Sequence, residues 1–236
     1  MIAEAVLFAV IASIPLPLGG WLGASRAPPQ AVTAFLLAFA SGALITAVAF
    51  ELFEDAFDRG GAWRAGVAFL AGATVFIVVD TWLDRYTKGR KVAGLGVGFA
   101  LLAGVTLDGV PENVAMGVAL TESSNPALLV AIFVSNFPEA IVGAEKMRAG
   151  LPTAKIVLIW TATGILLAVA VLAGYAAFDG LSDRALAWPL GFAAGAVLAS
   201  LADTLTPEAF AEEGRRPSIA YATALGFLLS YLVSVA

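Results

Sequence analysis

Eight apolar runs, each near or above the roughly 20 residues that span a bilayer, take up almost the whole chain. They cover about 3–24, 31–53, 62–83, 92–120, 126–146, 153–177, 186–208 and 217–235. The connectors are short and hold proline, glycine or charge, as in Arg26-Ala27-Pro28-Pro29, Asp58-Arg59-Gly60-Gly61, Lys88-Gly89-Arg90-Lys91, Ser123-Ser124-Asn125-Pro126, Gly150-Leu151-Pro152 and Gly214-Arg215-Arg216-Pro217. Of the 236 residues 60% are hydrophobic and 13% charged, about half the charge of a soluble domain. The mean hydropathy is +0.91. The expected fold is therefore an all-α membrane protein, a single eight-helix domain over 1–236 embedded in a lipid bilayer. The first run contains Glu4 and no Lys or Arg before it. A signal peptide wants a basic start, so this run reads as a retained first span.

Lysine and arginine set the orientation, because cytoplasmic loops carry the excess of positive charge. With eight spans, one face collects Arg26, Arg85, Lys88, Arg90, Lys91, Lys146, Arg148, Lys155, Arg215 and Arg216. The other collects Arg59, Arg64 and Arg184. Ten against three accounts for all 13 basic residues. The ten-residue face is expected in the cytoplasm and both termini outside, in the cell membrane.

Cysteine and histidine are both absent. That removes disulfides, thiolate metal sites and the commonest transition-metal ligand. Any site must use carboxylates, hydroxyls, amides and backbone carbonyls. The net charge of −5 is modest and says little about partners; no nucleic-acid partner is expected.

Two Pro-Glu pairs lie inside consecutive apolar runs, in Leu107-Asp108-Gly109-Val110-Pro111-Glu112-Asn113 and Val134-Ser135-Asn136-Phe137-Pro138-Glu139-Ala140. An intramembrane carboxylate is costly, and a helix-interior proline removes a backbone hydrogen bond. A polar residue, a proline and an acid recur as Asp108/Pro111/Glu112, Ser135/Pro138/Glu139 and Thr204/Pro207/Glu208, with a looser copy at Glu51/Asp55. Positions four apart share a helix face, so each copy aims two oxygen-bearing side chains the same way. Pro111 and Pro138 also free the carbonyls of Leu107 and Val134. Freed carbonyls beside carboxylates suit a hard cation.

By depth these residues form a polar trail. Glu51 and Asp55 fall at the outer end of the second span. Asp108, Glu112, Ser135, Asn136 and Glu139 fall in the membrane middle. Asp203, Thr204 and Glu208 lie toward the inner end of the seventh span. Asn113 and Met116 flank the centre, as an amide donor or helix cross-link and as packing or a soft ligand. The other use of the buried acids is a satisfied polar network that joins helices. Glu208, Glu212 and Glu213 also stand near Arg215 and Arg216, where surface pairing is expected.

With these motifs the chain resembles the ZIP family of divalent-metal transporters, in its short prokaryotic branch. Asp108-Gly109-Val110-Pro111-Glu112 and Ser135-Asn136-Phe137-Pro138-Glu139 stand where that family has its fourth- and fifth-span signatures. Phe39-Ala40-Ser41-Gly42 with Glu51-Leu52-Phe53-Glu54-Asp55, and Ala194-Gly195-Ala196-Val197-Leu198 with Asp203-Thr204-Leu205-Thr206-Pro207-Glu208, are similar to its second and seventh spans. The chain departs from the pattern at every histidine: Asp108 and Ser135 occupy those positions, and Gly109 and Asn136 replace their polar neighbours. No acid appears in Thr161-Ala162-Thr163-Gly164-Ile165-Leu166-Leu167, where the family often has a glutamate for a second metal.

The resemblance implies a ZIP-like bundle with a core of spans two, four, five and seven, and one surviving site of Asp108, Glu112 and Glu139. Ser135 or Asn136 would complete the shell. The expected activity is passage of a divalent cation into the cytoplasm. Oxygen ligation leans to Mn²⁺, Mg²⁺, Ca²⁺ or Fe²⁺, with Zn²⁺ and Cd²⁺ also in the test set. The family also implies a possible homodimer. No enzyme and no prosthetic group are expected. The other readings are a proton-coupled carrier, a non-transporting metal sensor or partner subunit, and an intramembrane hydrolase using Asp108 and Glu139.

Overall fold

The computed structural model describes residues 2–26, 28–88, 95–121, 126–213 and 217–235, without the side chains of 84, 86–88, 95–97, 100, 101, 212 and 213. The Gly89–Lys91 connector, Ser123–Asn125 and the Arg215/Arg216 pair therefore lie outside the described residues, as do the side chains of Glu212 and Glu213.

All regular structure among the described residues is helical. The helices are α1 Ile2–Ser13, α2 Pro15–Ser25, α3 Gln30–Thr46, α4 Glu54–Lys88, α5 Leu95–Ala119, α6 Pro126–Met147, α7 Thr153–Phe178, α8 Asp183–Ser200, α9 Thr206–Glu213 and α10 Pro217–Ser234. The first apolar run is split into α1 and α2 at Ile14. Pro15 and Pro17 supply no N–H to the preceding turn, which is the local reason for the break.

Two π-helical turns interrupt the long rods. Ala47–Phe53 joins α3 to α4, and Leu201–Leu205 joins α8 to α9. Each ends on a wide hydrogen bond, from the Glu54 N–H to the Ala49 carbonyl and from the Thr206 N–H to the Leu201 carbonyl. Such turns are uncommon and concentrate at functional places. Here they carry Glu51 and Thr204.

Six helical stretches among the described residues are long and apolar enough to cross a membrane: Ile2–Ser25, Gln30–Leu83, Pro126–Met147, Thr153–Phe178, Asp183–Ala211 and Pro217–Ser234. The protein is a multi-pass membrane protein. The second stretch has 54 residues, about 80 Å if it were one straight helix. It is not straight: Gly61 has φ 73° and ψ 170°, which ends one helix and starts another. A backbone at that φ is open to glycine and disfavoured for other residues.

Lipid does not drive apolar helices together, so close backbone approach at small residues has to do so. Three crossings do this reciprocally. A Cβ on Gly42 of α3 would fall 1.9 Å from the Thr223 carbonyl oxygen of α10, and one on Gly226 would fall 1.9 Å from that of Phe39. Gly72 of α4 and Gly195 of α8 meet the Phe192 and Phe69 carbonyls, each at 1.9 Å. Gly117 of α5 and Gly174 of α7 meet the Val171 and Val114 carbonyls at 2.1 and 2.2 Å.

Two of these crossings belong to an internal repeat. Gly42, Ala43, Ala49, Leu52, Ala56 and Phe57 match Gly195, Ala196, Ala202, Leu205, Ala209 and Phe210 at constant spacing, and both copies contain the π turn. The α3 copy packs on α10 through Gly226, and the α8 copy packs on α4 through Gly72.

The outward faces are apolar. Leu158, Ile165 and Val169 of α7, Leu70, Val78 and Trp82 of α4, and Leu225, Leu228 and Leu232 of α10 are all exposed. In water this surface would be unstable, and in a bilayer it is solvated by lipid tails.

Gly195→Ala is expected to destabilise the bundle by about 1–3 kcal/mol, the usual cost of overpacking. Gly66, with no atom within 4 Å of a built Cβ, is the control: Gly66→Ala should be stabilising by about 0.5–1 kcal/mol. Thermal unfolding in detergent micelles reads both, and equal midpoints for the two variants would count against the crossing.

Candidate functional site

Polar residues one turn apart on α5 and α6 project into the bundle because of helical spacing. Asp108 and Glu112 lie one turn apart on α5, and Ser135 and Glu139 one turn apart on α6. Both helices run without interruption through Pro111 and Pro138. Glu112 is 3% exposed and Glu139 8%. Asn113, Ser135 and Asn136 are buried with them. The carboxylates of Asp108, Glu112 and Glu139 are within electrostatic range of one another.

Their hydrogen bonding is uneven. Asp108 Oδ2 accepts a hydrogen bond from the Ser200 hydroxyl of α8. Asn113 Nδ2 donates to the Gly109 carbonyl at 2.8 Å, and Ser135 Oγ to the Ile132 carbonyl at 3.1 Å. Glu112 Oε1, Asn113 Oδ1 and Asn136 Nδ2 have no hydrogen-bond partner among the described residues. Two of these three are oxygens that want a donor or a cation. Asn136 presents a nitrogen in this orientation, and the opposite amide orientation would present its oxygen instead. The fourth such atom, Trp160 Nε1, lies in a second apolar cluster with Leu16, Ile156 and Leu167.

A narrow cavity of about 10 Å³ runs beside Asp108 and Glu139 and is also lined by Leu37, Val105, Val142, Thr204, Leu205 and Glu208. It has room for about one water. Glu208 is bound by the Lys146 ammonium of α6, while the expected partners Arg215 and Arg216 lie outside the described residues. Asp203 is exposed and is not among the residues lining this cavity.

At the other end of α3 a wider cavity of about 320 Å³ is lined by Phe50, Glu51, Glu54, Asp55, Asp58, Arg59 and Ala119. Leu37 of the narrow cavity and Phe50 of the wide one are 13 residues apart on one rod, which separates them by about 20 Å. Arg59 Nε donates to Asp55 Oδ1 at 2.6 Å, and its Nη1 lies 3.6 Å from Asp183 Oδ1. Glu51 accepts from the Ser234 hydroxyl of α10. Met116 is 1% exposed and sits in the main apolar cluster.

The structure thus puts Asp108, Glu112 and Glu139 within electrostatic range of one another, Thr204 and Glu208 on the same narrow cavity as Asp108 and Glu139, and Glu51 and Asp55 on the separate wide one, while Asn113, Ser135 and Asn136 are buried on α5 and α6. Among the described residues no group of three or more Asp, Glu, His or Cys side chains converges tightly enough to hold a metal ion. Ser200 and Ser234 reach Asp108 and Glu51 from distant helices, without a signal in the local sequence, whereas Lys146 stands on α6 itself, seven residues after Glu139.

No family model matches the chain. A search of the curated proteins finds none that matches it in sequence.

Hydrogen bonds to charged groups are worth about 1.5–3 kcal/mol. A double-mutant cycle on Ser200→Ala and Asp108→Asn, read by chemical unfolding, should give a coupling of about 1–3 kcal/mol. Strict additivity would show that the two side chains do not meet.

Proposed function

We propose that this protein is a ZIP-like transporter that passes a divalent metal cation into the cytoplasm through the α5–α6 carboxylates. One observation carries the reading: buried oxygens of Glu112 and Asn113, on neighbouring residues in the middle of the bundle, have no donor. An unsatisfied buried acceptor beside carboxylates is a standing cost, and a passing cation removes it. Asp108, Glu112 and Glu139 would supply charge, and Asn113, Ser135 and Asn136 neutral oxygen. That mixed set favours hard cations such as Mn²⁺, Mg²⁺, Ca²⁺ or Fe²⁺, and Zn²⁺ also accepts carboxylates.

The supporting architecture is a path with an acidic cavity at one end, buried carboxylates in the middle and Thr204 and Glu208 at the other. Internal repeats are a common plan for transporters. We read eight crossings, by dividing the 54-residue stretch at Gly61 and adding α5, whose 25 residues reach about 37 Å. The ten-to-three split of basic residues then orients both termini outside, in the cell membrane. A homodimer fits the family resemblance.

A proton-coupled carrier is the second reading, favoured by the two carboxylate–hydroxyl pairs, Asp108 with Ser200 and Glu51 with Ser234. It predicts pH-driven flux with no metal present.

Purified protein in sealed vesicles should show saturable uptake of at least one of Mn²⁺, Zn²⁺, Fe²⁺, Cd²⁺, Mg²⁺ and Ca²⁺. Glu112→Gln/Glu139→Gln should lower that uptake at least tenfold. Uptake that persists unchanged in the double variant would refute the central site.

A further inference from the structure

The α6 residues Ser135, Glu139, Val142 and Lys146 are spaced by four, three and four, which keeps them on one helix face. Glu139 and Val142 line the narrow cavity, so that face is turned toward it. Across the cavity, Thr204 and Glu208 form the matching stripe. The stripes join at their ends, where Lys146 Nζ donates to Glu208 Oε1. The two side chains are 27% and 20% exposed. Glu208 therefore belongs both to the cavity of Asp108 and Glu139 and to an ion pair at its mouth.

Size shows why this matters. The cavity holds about 10 Å³. A divalent cation keeping about six waters needs room for at least about six, where this cavity has room for about one. Passage requires α6 and α9 to part, and the Lys146–Glu208 pair ties α6 to α9 at that point. Lysine suits a releasable tie, being a single point charge on a flexible stem. A partly exposed ion pair is also weak enough to exchange.

We infer that Lys146 is a tethered cation that latches the narrow end of the path, and that a transported cation passes this point by displacing its ammonium from Glu208. The inference rests on the transport reading above, and its test is independent of that reading. The chain has no cysteine, so one introduced thiol reports without background. Val105 lines the cavity and is 4% exposed. Val105→Cys in the full-length protein in detergent micelles should react slowly with a polar maleimide.

Adding Lys146→Met should speed that reaction at least tenfold. Lys146→Arg should keep it slow, and the charge swap Lys146→Glu/Glu208→Lys should restore protection. The swap also guards against simple misfolding, because a damaged bundle would not regain protection by reversing two charges. An unchanged rate in Lys146→Met, or a fast rate in the swap, would overturn the latch. Vesicle uptake of Mn²⁺ and the other ions separates the two claims. A latch seen by labelling with no ion crossing would defeat the transport reading, and normal uptake with no change in labelling would defeat the latch alone.

Discussion

Backbone-to-backbone contact at glycine is the constraint on which this bundle depends. Apolar side chains gain nothing by leaving lipid for another apolar surface, so contact area and close approach must hold the helices. Gly42 with Gly226, Gly72 with Gly195, and Gly117 with Gly174 let carbonyl oxygens of one helix occupy the space of a missing side chain on the next. Hydroxyls reinforce one of these crossings: Thr46 Oγ1 donates to the Phe227 carbonyl at 3.0 Å, and Ser230 Oγ to that of Ala43 at 3.3 Å. With α8 held on α4 and α5 held on α7, α5 and α8 come together, and Ser200 reaches Asp108.

Polar satisfaction varies along the bundle, from the wide cavity through the buried carboxylates to the narrow one. At the wide end Arg59 pairs with Asp55, and Ser234 donates to Glu51. At the narrow end Lys146 holds Glu208. Oxygens without a donor occur in the middle, at Glu112 and Asn113. Desolvation costs most there, so an unmet acceptor at that depth is harder to explain as packing than one near either surface. The proposed cation path would use this distribution, with a weak hold near each end and the strongest demand at the centre.

The apolar runs, the four-residue spacing of Asp108 with Glu112, Ser135 with Glu139 and Thr204 with Glu208, and the burial of the central acids were all legible from local patterns. Asp203 shows where such patterns stop. It neighbours Thr204 in sequence, yet consecutive helical residues point about 100° apart, and it is Thr204 that lines the cavity. The π turns were not legible, because a bulge is set by how two packed rods accommodate each other. The partners of Asp108, Glu51 and Glu208 were also hidden, at separations of 92, 183 and 62 residues.

By itself the sequence determined that this chain fills a membrane with helices and buries several acids on definite helix faces, since length, hydropathy and helical period are properties of contiguous residues. Only the tertiary structure decided which faces meet. Glycine crossings between distant helices set those meetings, and they put a hydroxyl on Asp108, a lysine on Glu208 and no donor on Glu112 Oε1.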